Sequence, residues 1–443
     1  MVKVITYGTY DLLHYGHIKL LERAKALGDY LIVGVTADGF DKVRGKINVQ
    51  QSLMERIEAV RATGIPDEII VEEYEGQKID DICRMNVDIF TVGSDWVGKF
   101  DYLNEYCKVI YLPRTEGVSS SEIRAEENQI KVGLIGDSLF LNKVESESHF
   151  VNGISVTGVA TSNVDTLSDS IKKLPIITEQ YKSLLESIDA VYIKACPEEH
   201  YEIVKYALSK GKHVLCESPF ALNEVEWEEL VQLSEDNNVV LMDGIKTAYS
   251  TAFSRLCLLV KSGRIGQVKC VEATCTSLRD TEDEKTGSWD AMFEWGPTAL
   301  LPVFQILGTK YQEKHVYTYY YDKGREHDAF TKIDFRYPSA VASVKIGNGV
   351  KSEGSLIISG TKGYLYVPAP WWKTDYFEIR YENQDNNKRY YYQLDGEGIR
   401  YELLCFLQAI NKKASQHYVT RSISKAITKE VGEFYRKENV IGI

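Results

Sequence analysis

The chain of 443 residues is predicted to be an α/β protein of more than one domain. Its length exceeds that of a usual single domain. A β-branched, apolar run at residues 2–6 is followed by apolar residues at helical spacing over 18–27, the pattern of a buried parallel strand and its crossover helix. A polar stretch at 122–129 precedes a second strand-like run at 130–136. We therefore expect an N-terminal Rossmann-like domain, a second Rossmann domain, and a C-terminal α+β domain with an open sheet.

The later elements follow in the same order along the chain. Further short strands of the second series are predicted at 156–160 and 190–195, with helical stretches between them. After residue 248 the pattern predicts four strands of an open mixed sheet, at 316–321, 331–337, 340–346 and 355–359. One late helix is predicted at 398–410. The expected domains are 1–128, 130–247 and 248–443.

Composition excludes several classes of function. Lysine and arginine number 52 against 64 aspartates and glutamates, a formal charge of −12, which disfavours a nucleic-acid partner or an anionic membrane surface. The eight cysteines form no C-x-x-C pair, so a reducing compartment is expected rather than a disulfide framework. With neither a signal-peptide pattern nor an apolar run of membrane-spanning length, we expect a cytoplasmic protein without membrane insertion.

Two histidines mark the turn after the first predicted strand. His14 and His17 flank Gly16 where the strand ends and a helix begins. In an open α/β sheet this edge binds ligands, and unpaired N–H groups at the helix start suit a phosphate. Because Gly16 has no side chain, a phosphate could approach the backbone closely there. By itself, a histidine pair at this spacing is as often structural as functional.

Three blocks carry a family resemblance. Residues 8–17 read G-T-Y-D-L-L-H-Y-G-H and resemble the G-T-F-D-x-x-H-x-G-H signature of the cytidylyltransferases. Residues 113–121, P-R-T-E-G-V-S-S-S, are similar to that family's R-T-E-G-I-S-T-T block. Between them, residues 93–100, G-S-D-W-V-G-K-F, resemble G-D-D-W-x-G-K-F of the glycerol-3-phosphate cytidylyltransferases. The resemblance covers residues 1–128.

The resemblance implies transfer of a cytidylyl group from CTP to a small polyol phosphate. Such a reaction requires positioning and charge neutralisation, with no covalent nucleophile on the protein. Mg²⁺ would enter with CTP, and no metal ligand of the protein is assigned. The catalytic residues that the resemblance implies are His14, His17, Lys46 and Arg114. The implied substrate and nucleotide contacts are Gly8, Thr9, Tyr10, Asp11, Gly16, Asp38, Arg44, Asp95, Thr115, Ser119 and Ser120.

Two departures from the family pattern concern the acceptor. Residues 64–69 read G-I-P-D-E-I where glycerol-3-phosphate cytidylyltransferases have R-Y-V-D-E-V, so an arginine is lost. Arginine is the preferred bidentate partner of a phosphate, and its loss indicates either a different acceptor or replacement by a neighbour such as Arg61. Tyr10 also stands in place of the usual phenylalanine and adds a hydroxyl. The acceptor is therefore less determined than the reaction.

The second half resembles the Gfo/Idh/MocA oxidoreductases over residues 130–443. Residues 189–200, D-A-V-Y-I-K-A-C-P-E-E-H, contain that family's P-x-x-H turn. Residues 207–219, A-L-S-K-G-K-H-V-L-C-E-S-P, are similar to its G-K-H-V-x-x-E-K-P strand end. The segments S-G-R-I-G-Q-V at 262–268 and G-T-K-G at 360–363 are similar to parts of its C-terminal domain.

The positions that carry the oxidoreductase chemistry have changed. Residues 136–141 read G-D-S-L-F-L, and only the first glycine of the dinucleotide fingerprint remains. Ser218 replaces the family lysine and Thr298 replaces its catalytic histidine. Lys194 or Lys246 could compensate from a neighbouring strand end, but we expect these lysines to be solvated or salt-bridged. A degenerate cofactor site would comprise Gly136, Cys196, Glu217, Ser218 and Thr298. We expect little or no binding of NAD(P).

The sequence thus predicts a CTP-dependent enzyme that forms a CDP-polyol, with glycerol 3-phosphate as the first acceptor to test. The resemblance implies a role in cell-surface polysaccharide biosynthesis. In the main hypothesis the second half has lost hydride transfer. One alternative makes it an active NAD(P)-dependent reductase that supplies the polyol phosphate, and another makes it a binding or assembly module. We expect a homo-oligomer.

Overall fold

The computed structural model divides into two units, Met1–Gln129 and Ile130–Ile443. It describes all of the chain except residues 12, 14, 38–48, 50, 75, 114–128, 279–289, 322–326, 375, 393 and 412–417, and at Asp95, Thr166 and Asp395 only the backbone is described.

The first unit contains a five-stranded parallel sheet in the order β3-β2-β1-β4-β5. Its strands are β1 Lys3–Gly8, β2 Tyr30–Thr36, β3 Glu68–Glu72, β4 Ile89–Gly93 and β5 Lys108–Leu112, and its described helices are α1 Tyr15–Lys25, α2 Leu53–Ala62 and α3 Gln77–Met85. Val4 and Ile5 are fully buried in different hydrophobic clusters. Because successive strand residues face opposite ways, both faces of the sheet are covered, which explains why β1 is a continuous apolar run rather than an alternating one.

The strand order reverses between β1 and β4, so a crevice opens at the carboxyl ends of these central strands. Helix α1 begins at Tyr15, three residues earlier than the predicted start, and so His17 lies within its first turn. Helix α2 begins with a capping box in which Ser52 and Glu55 satisfy each other's backbone N–H groups. The Rossmann-like prediction for this unit is confirmed.

The second unit begins with a six-stranded parallel sheet in the order β11-β10-β9-β6-β7-β8. Its elements are β6 Ile130–Ile135, α4 Phe140–Ser148, β7 Ile154–Ala160, β8 Ile176–Thr178, α5 Tyr181–Leu185, β9 Ala190–Ile193, α6 Pro197–Ser209, β10 His213–Glu217, α7 Glu224–Asp236 and β11 Leu241–Gly244. Gly136 follows β6 with φ +136°, and a Cβ there would lie 2.0 Å from the carbonyl oxygen of Lys194. Only glycine allows this approach between the ends of β6 and β9.

The second unit also contains a nine-stranded mixed sheet in the order β19-β18-β17-β16-β12-β15-β14-β13-β20. The remaining elements are α8 Thr251–Lys261, β12 Val268–Thr276, α9 Ala291–Leu307, β13 Glu313–Tyr320, β14 Asp328–Arg336, β15 Val341–Gly347, β16 Leu356–Gly360, β17 Tyr364–Val367, β18 Tyr376–Arg380, β19 Lys388–Tyr391, α10 Ile399–Ile410, α11 Arg421–Tyr435 and β20 Val440–Gly442. The predicted open sheet and late helix are confirmed. A domain boundary at 247/248 stays a prediction.

Two further predictions concern the whole chain. Within the described ranges, no helix combines the length and the apolar character needed to cross a membrane. All eight cysteines lie in those ranges, and all are free thiols.

Asp328 is a buried acid at the start of β14, 1% exposed. Its carboxylate accepts hydrogen bonds from Thr331 Oγ1 at 2.8 Å and from the Met292 backbone N–H at 3.3 Å. Burial, followed by the neighbouring charge of Asp290, raises the pKa of Asp328 to about 7. The folded protein therefore keeps a proton that the unfolded chain releases at lower pH.

The contribution of Asp328 to the stability of the second unit should fall as pH rises from about 4 to 7, since over this range the native state binds a proton that the unfolded chain has released. Buried His200, whose pKa is lowered, acts in the opposite direction, so the wild-type protein is compared with a variant. Asp328→Asn imitates the protonated acid and should remove the contribution of Asp328. Urea midpoints read by tryptophan fluorescence provide the measurement, because five of the six tryptophans follow residue 129. Asp334→Asn, on the same strand but ion-paired with Lys332, is the control. Equal pH slopes for all three proteins would contradict the assignment.

Candidate functional site

The turn after β1 is shaped around a buried tyrosine. Tyr10 has φ +54° and is 1% exposed, an uncommon conformation for a large side chain. A Cβ on Gly8 would lie 3.0 Å from the Tyr10 ring, so the glycine leaves room for it. Burial raises the pKa of the Tyr10 hydroxyl, which therefore stays protonated. The hydroxyl that distinguishes this chain from the family pattern lies in the core beneath the turn.

Arg56 holds the carboxyl ends of two strands together. It lies on α2, is fully buried, and donates from Nη1 to the carbonyl oxygens of Thr9 at 2.7 Å and Thr36 at 2.9 Å. Its Nε donates to the carbonyl oxygen of Gln51 at 3.1 Å. The Thr9 carbonyl follows β1, the Thr36 carbonyl ends β2, and the Gln51 carbonyl precedes α2. One guanidinium therefore fixes the edge that forms the crevice. We did not predict this role, because a charged helix residue is usually exposed.

His17 lies at this edge, in the first turn of α1. Its ring packs edge-on against Tyr10 with 5.6 Å between the ring centres. Asp11 is buried and accepts a hydrogen bond from the backbone N–H of Gln51 at 3.0 Å. Gly16 precedes His17 in the same turn. The structure thus brings together Gly8, Thr9, Tyr10, Asp11, Gly16 and His17 at the carboxyl end of β1.

The other predicted residues of the first unit fall outside what the structure describes. These are His14, Asp38, Arg44, Lys46, Arg114, Thr115, Ser119 and Ser120. Asp95 lies in a 3-10 turn directly after β4, and only its backbone is described. Their roles stay predictions.

A buried network of charged groups lies beside β1. Glu72, at the end of β3, accepts a hydrogen bond from Thr36 Oγ1 at 2.9 Å and pairs with Lys78. The Lys78 ammonium lies 4.6 Å from the centre of the Tyr7 ring, and the Tyr7 hydroxyl donates to Asp81 at 2.9 Å. Burial and the charge of Asp81 raise the pKa of Tyr7. Sequence reasoning missed this network because its members come from four separate elements.

In the second unit, Asp137 occupies the place where a dinucleotide fold receives the cofactor. Its carboxylate accepts hydrogen bonds from Thr161 Oγ1 and the Ser162 backbone N–H, each at 2.7 Å, and from Ser162 Oγ at 2.8 Å. Although partial burial opposes it, these hydrogen bonds lower the pKa of Asp137, which stays charged. The donors follow β7, the strand whose end holds the ribose in dinucleotide-binding folds. A fixed negative charge there opposes a pyrophosphate.

Two lysines flank the aromatic ring next to this turn. The ammonium groups of Lys194 and Lys246 lie 5.3 and 5.0 Å from the centre of the Phe140 ring. Lys194 pairs with Glu217 at 3.3 Å, and Lys246 pairs with Glu397 at 3.1 Å. Both lysines are therefore ion-paired, in agreement with the prediction.

The remaining residues of the degenerate site lie on different elements. Cys196 precedes α6 at its N-cap position and donates from Sγ to Glu198 at 3.2 Å, and burial raises the pKa of its thiol to about 11. Ser218 follows Glu217 at the end of β10 and is buried. Thr298 lies within α9, which packs on the mixed sheet. These positions provide no residue that resembles the family's lysine or histidine.

His200 of the P-x-x-H turn connects two strand ends. Its ring is fully buried, with Nδ1 2.8 Å from the carbonyl oxygen of Pro219 and Nε2 3.1 Å from that of Ala195. Burial lowers the pKa of His200 to about 4, so the ring is neutral and can donate to only one of these oxygens. The histidine thus has a structural place between β9 and β10.

Replacing Arg56 by methionine should loosen the crevice of the first unit, since three carbonyl oxygens lose a buried donor. Hydrogen bonds to charged groups contribute roughly 1.5–3 kcal/mol each, so amide protection in β1 and β2 should fall by about 100-fold or more. Hydrogen exchange followed by mass spectrometry on the full chain measures this. Arg61→Met, on the exposed side of the same helix, is the control. Unchanged protection with Arg56→Met would show that the guanidinium does not hold the edge.

Known proteins match the two units separately. Residues 5–126 match the cytidylyltransferase-like family model, and residues 130–245 match the model of an oxidoreductase family with an NAD-binding Rossmann fold. The glycerol-3-phosphate cytidylyltransferase of Bacillus spizizenii is 52% identical over 126 residues, which cover 28% of this chain and 97% of that protein.

The second unit has more distant relatives. A trans-1,2-dihydrobenzene-1,2-diol dehydrogenase of Bos taurus is 23% identical over 308 residues, which cover 65% of this chain and 89% of that protein. A 3-ketoreductase from Actinomadura kijaniata, crystallised with NADP and TDP-benzene, superposes with a TM-score of 0.61 at 17% identity, covering 71% of this chain and 100% of that one. That likeness concerns the fold alone. Residues 130–245 of the second unit are similar to the NAD-binding Rossmann domain of the Gfo/Idh/MocA oxidoreductases, and through its first unit the chain belongs to the cytidylyltransferase-like family of nucleotidyltransferases.

Proposed function

We propose that the first unit transfers the cytidylyl group of CTP to glycerol 3-phosphate, forming CDP-glycerol and pyrophosphate. The observation that carries the proposal is 52% identity to a glycerol-3-phosphate cytidylyltransferase over nearly its whole length. The crevice between β1 and β4, with His17 in the first turn of α1, supports the same chemistry.

In this reaction a phosphate oxygen of the acceptor attacks the α-phosphorus of CTP. The bond from that phosphorus to the β-phosphate bridging oxygen breaks, and pyrophosphate leaves with its Mg²⁺. The protein's part is to hold the two phosphates in line and to neutralise the oxygens of the transition state. We assign His14 and His17 as donors to those oxygens and Lys46 and Arg114 as phosphate-binding cations. The N-terminal end of α1 adds favourable backbone dipoles.

The acceptor is the less determined substrate. Gly64 has no side chain to replace the missing arginine, and Arg61, the neighbour that could replace it, is paired with Glu58 on the exposed side of α2. The similarity of residues 93–100 to the glycerol-3-phosphate enzymes favours a small phosphorylated polyol. If turnover with phosphocholine or nicotinamide mononucleotide equalled that with glycerol 3-phosphate, the chain would belong to another branch of the nucleotidyltransferases.

Pyrophosphate release with CTP, Mg²⁺ and glycerol 3-phosphate tests the proposal. Replacing His14 or His17 by alanine should lower the rate by about 100- to 1,000-fold, because each change removes a preorganised transition-state donor. His315→Ala, at an exposed position in the second unit, is the matched control and should leave the rate unchanged. Near-normal rates for both active-site variants would remove the histidines from the mechanism, and no turnover with any polyol phosphate would overturn the assignment.

We also propose that the second unit does not transfer hydride. The carboxylate of Asp137 accepts the hydrogen bonds of the donors that follow β7. Ser218 and Thr298 replace the lysine and the histidine that would move the proton accompanying hydride transfer. NADPH should therefore not be oxidised when the protein is mixed with keto-sugar phosphates. Turnover of NADPH would support the bifunctional alternative, in which the second unit makes the polyol phosphate. A homo-oligomer and a cytoplasmic location stay predictions.

A further inference from the structure

Three lysines of the second unit converge on one carboxylate. Lys143 lies 2.9 Å from Glu397 Oε1, while Lys246 and Lys373 lie 3.1 and 3.0 Å from Oε2. The lysines come from α4 and from two separate 3-10 turns, so the fold assembles this cluster from distant parts of the chain. Although burial opposes it, contacts with Lys143, Lys373 and Lys246 lower the pKa of Glu397 to about 2.

The cluster carries more positive charge than Glu397 can balance. Three ammonium groups face a single carboxylate, and the neighbouring ion pairs, Lys194 with Glu217 and Arg400 with Glu147, are each neutral. Burial raises the pKa of Glu402, which interacts with Lys246, well above its usual range, so this acid does not offset the charge. In a chain with a formal charge of −12, a local surplus of positive charge indicates a site for an anion.

Glu397 reaches the lysines from an unfavourable backbone conformation. Gly396, Glu397 and Gly398 have φ values of +55°, +55° and +92°. Glycine adopts such angles freely, but the left-handed region is unfavourable for a glutamate. Glu397 lies outside α10, which begins at Ile399. The segment thus places a carboxylate among the lysines at a conformational cost.

A buried acid beside the cluster indicates that the site is built for more than one carboxylate. Glu402 is 1% exposed, interacts electrostatically with Lys246 and Lys194, and its Oε1 has no hydrogen-bond partner among the described residues. A buried polar atom without a partner is uncommon and calls for a water or a ligand group. The protonated Glu402 side chain would donate to a ligand oxygen.

We propose that Lys143, Lys246 and Lys373 form a phosphomonoester-binding site, which the Glu397 carboxylate occupies when no phosphate is bound. A phosphomonoester dianion has two negative charges and three terminal oxygens, which match three ammonium donors better than a single carboxylate does. On binding, the phosphate displaces the Glu397 side chain, and the 396–398 segment rearranges. The site does not depend on the cytidylyltransferase activity and involves no redox step.

Calorimetric titration of the full chain with inorganic phosphate tests the proposal. Glu397→Gln keeps the size of the side chain but removes the competing charge, and it should bind phosphate at least tenfold more tightly than the wild-type protein. Lys373→Gln in the Glu397→Gln background should abolish that gain. Glu382→Gln, an exposed position, is the matched control. Phosphate bound by the first unit contributes equally to every variant and cancels in the comparison.

Equal affinities of the wild-type protein, Glu397→Gln and Glu382→Gln would overturn the proposal. So would a gain that survives Lys373→Gln, because the phosphate would then bind elsewhere. If Glu397→Gln fails to fold, Lys373→Gln alone should weaken phosphate binding, and no weakening would count against the site. Pyrophosphate release, measured in parallel, should be the same for all variants, so failure of this site and failure of the transferase assignment remain distinguishable.

Discussion

The carboxyl edge of a parallel sheet is the constraint on which this molecule depends, because the strands end there with backbone groups that need partners. In the first unit the buried guanidinium of Arg56 donates to carbonyl oxygens at the ends of β1 and β2. A side chain in the core thereby fixes the strand ends. His17 and the start of α1 lie beside this edge.

The second unit has the same kind of edge but fills it with its own side chains. Asp137 takes the donors that follow β7, Lys194 and Lys246 flank Phe140, and Glu397 holds three lysines. These side chains lie at the edge where dinucleotide-binding folds receive the cofactor. Two sheets of similar architecture thus carry different side chains at this edge, and function depends on such side chains rather than on the fold.

Local patterns explain which features the sequence predicted. The buried strands around Val4 and Val191 are continuous apolar runs, and the turn at Gly16 and His17 belongs to a contiguous signature, so both were visible in short windows. Arg56 and Glu397 were not predicted, because their partners lie far away in the sequence and a charged residue carries no local sign of burial. The altered fingerprint at 136–141 was visible, whereas its consequence, the hydrogen bonds of Asp137 to Thr161 and Ser162, required the structure.

We infer that the carboxyl edge of the first sheet binds a nucleotide and that the corresponding edge of the second unit does not bind a dinucleotide. Calorimetric titration of the full chain, first with CTP and Mg²⁺ and then with NADPH, tests this most directly. We expect saturable binding of about one CTP per chain, loss of that binding in Arg56→Met, and no heat from NADPH at concentrations up to the millimolar range. Micromolar NADPH affinity, or CTP binding that Arg56→Met leaves unchanged, would contradict it.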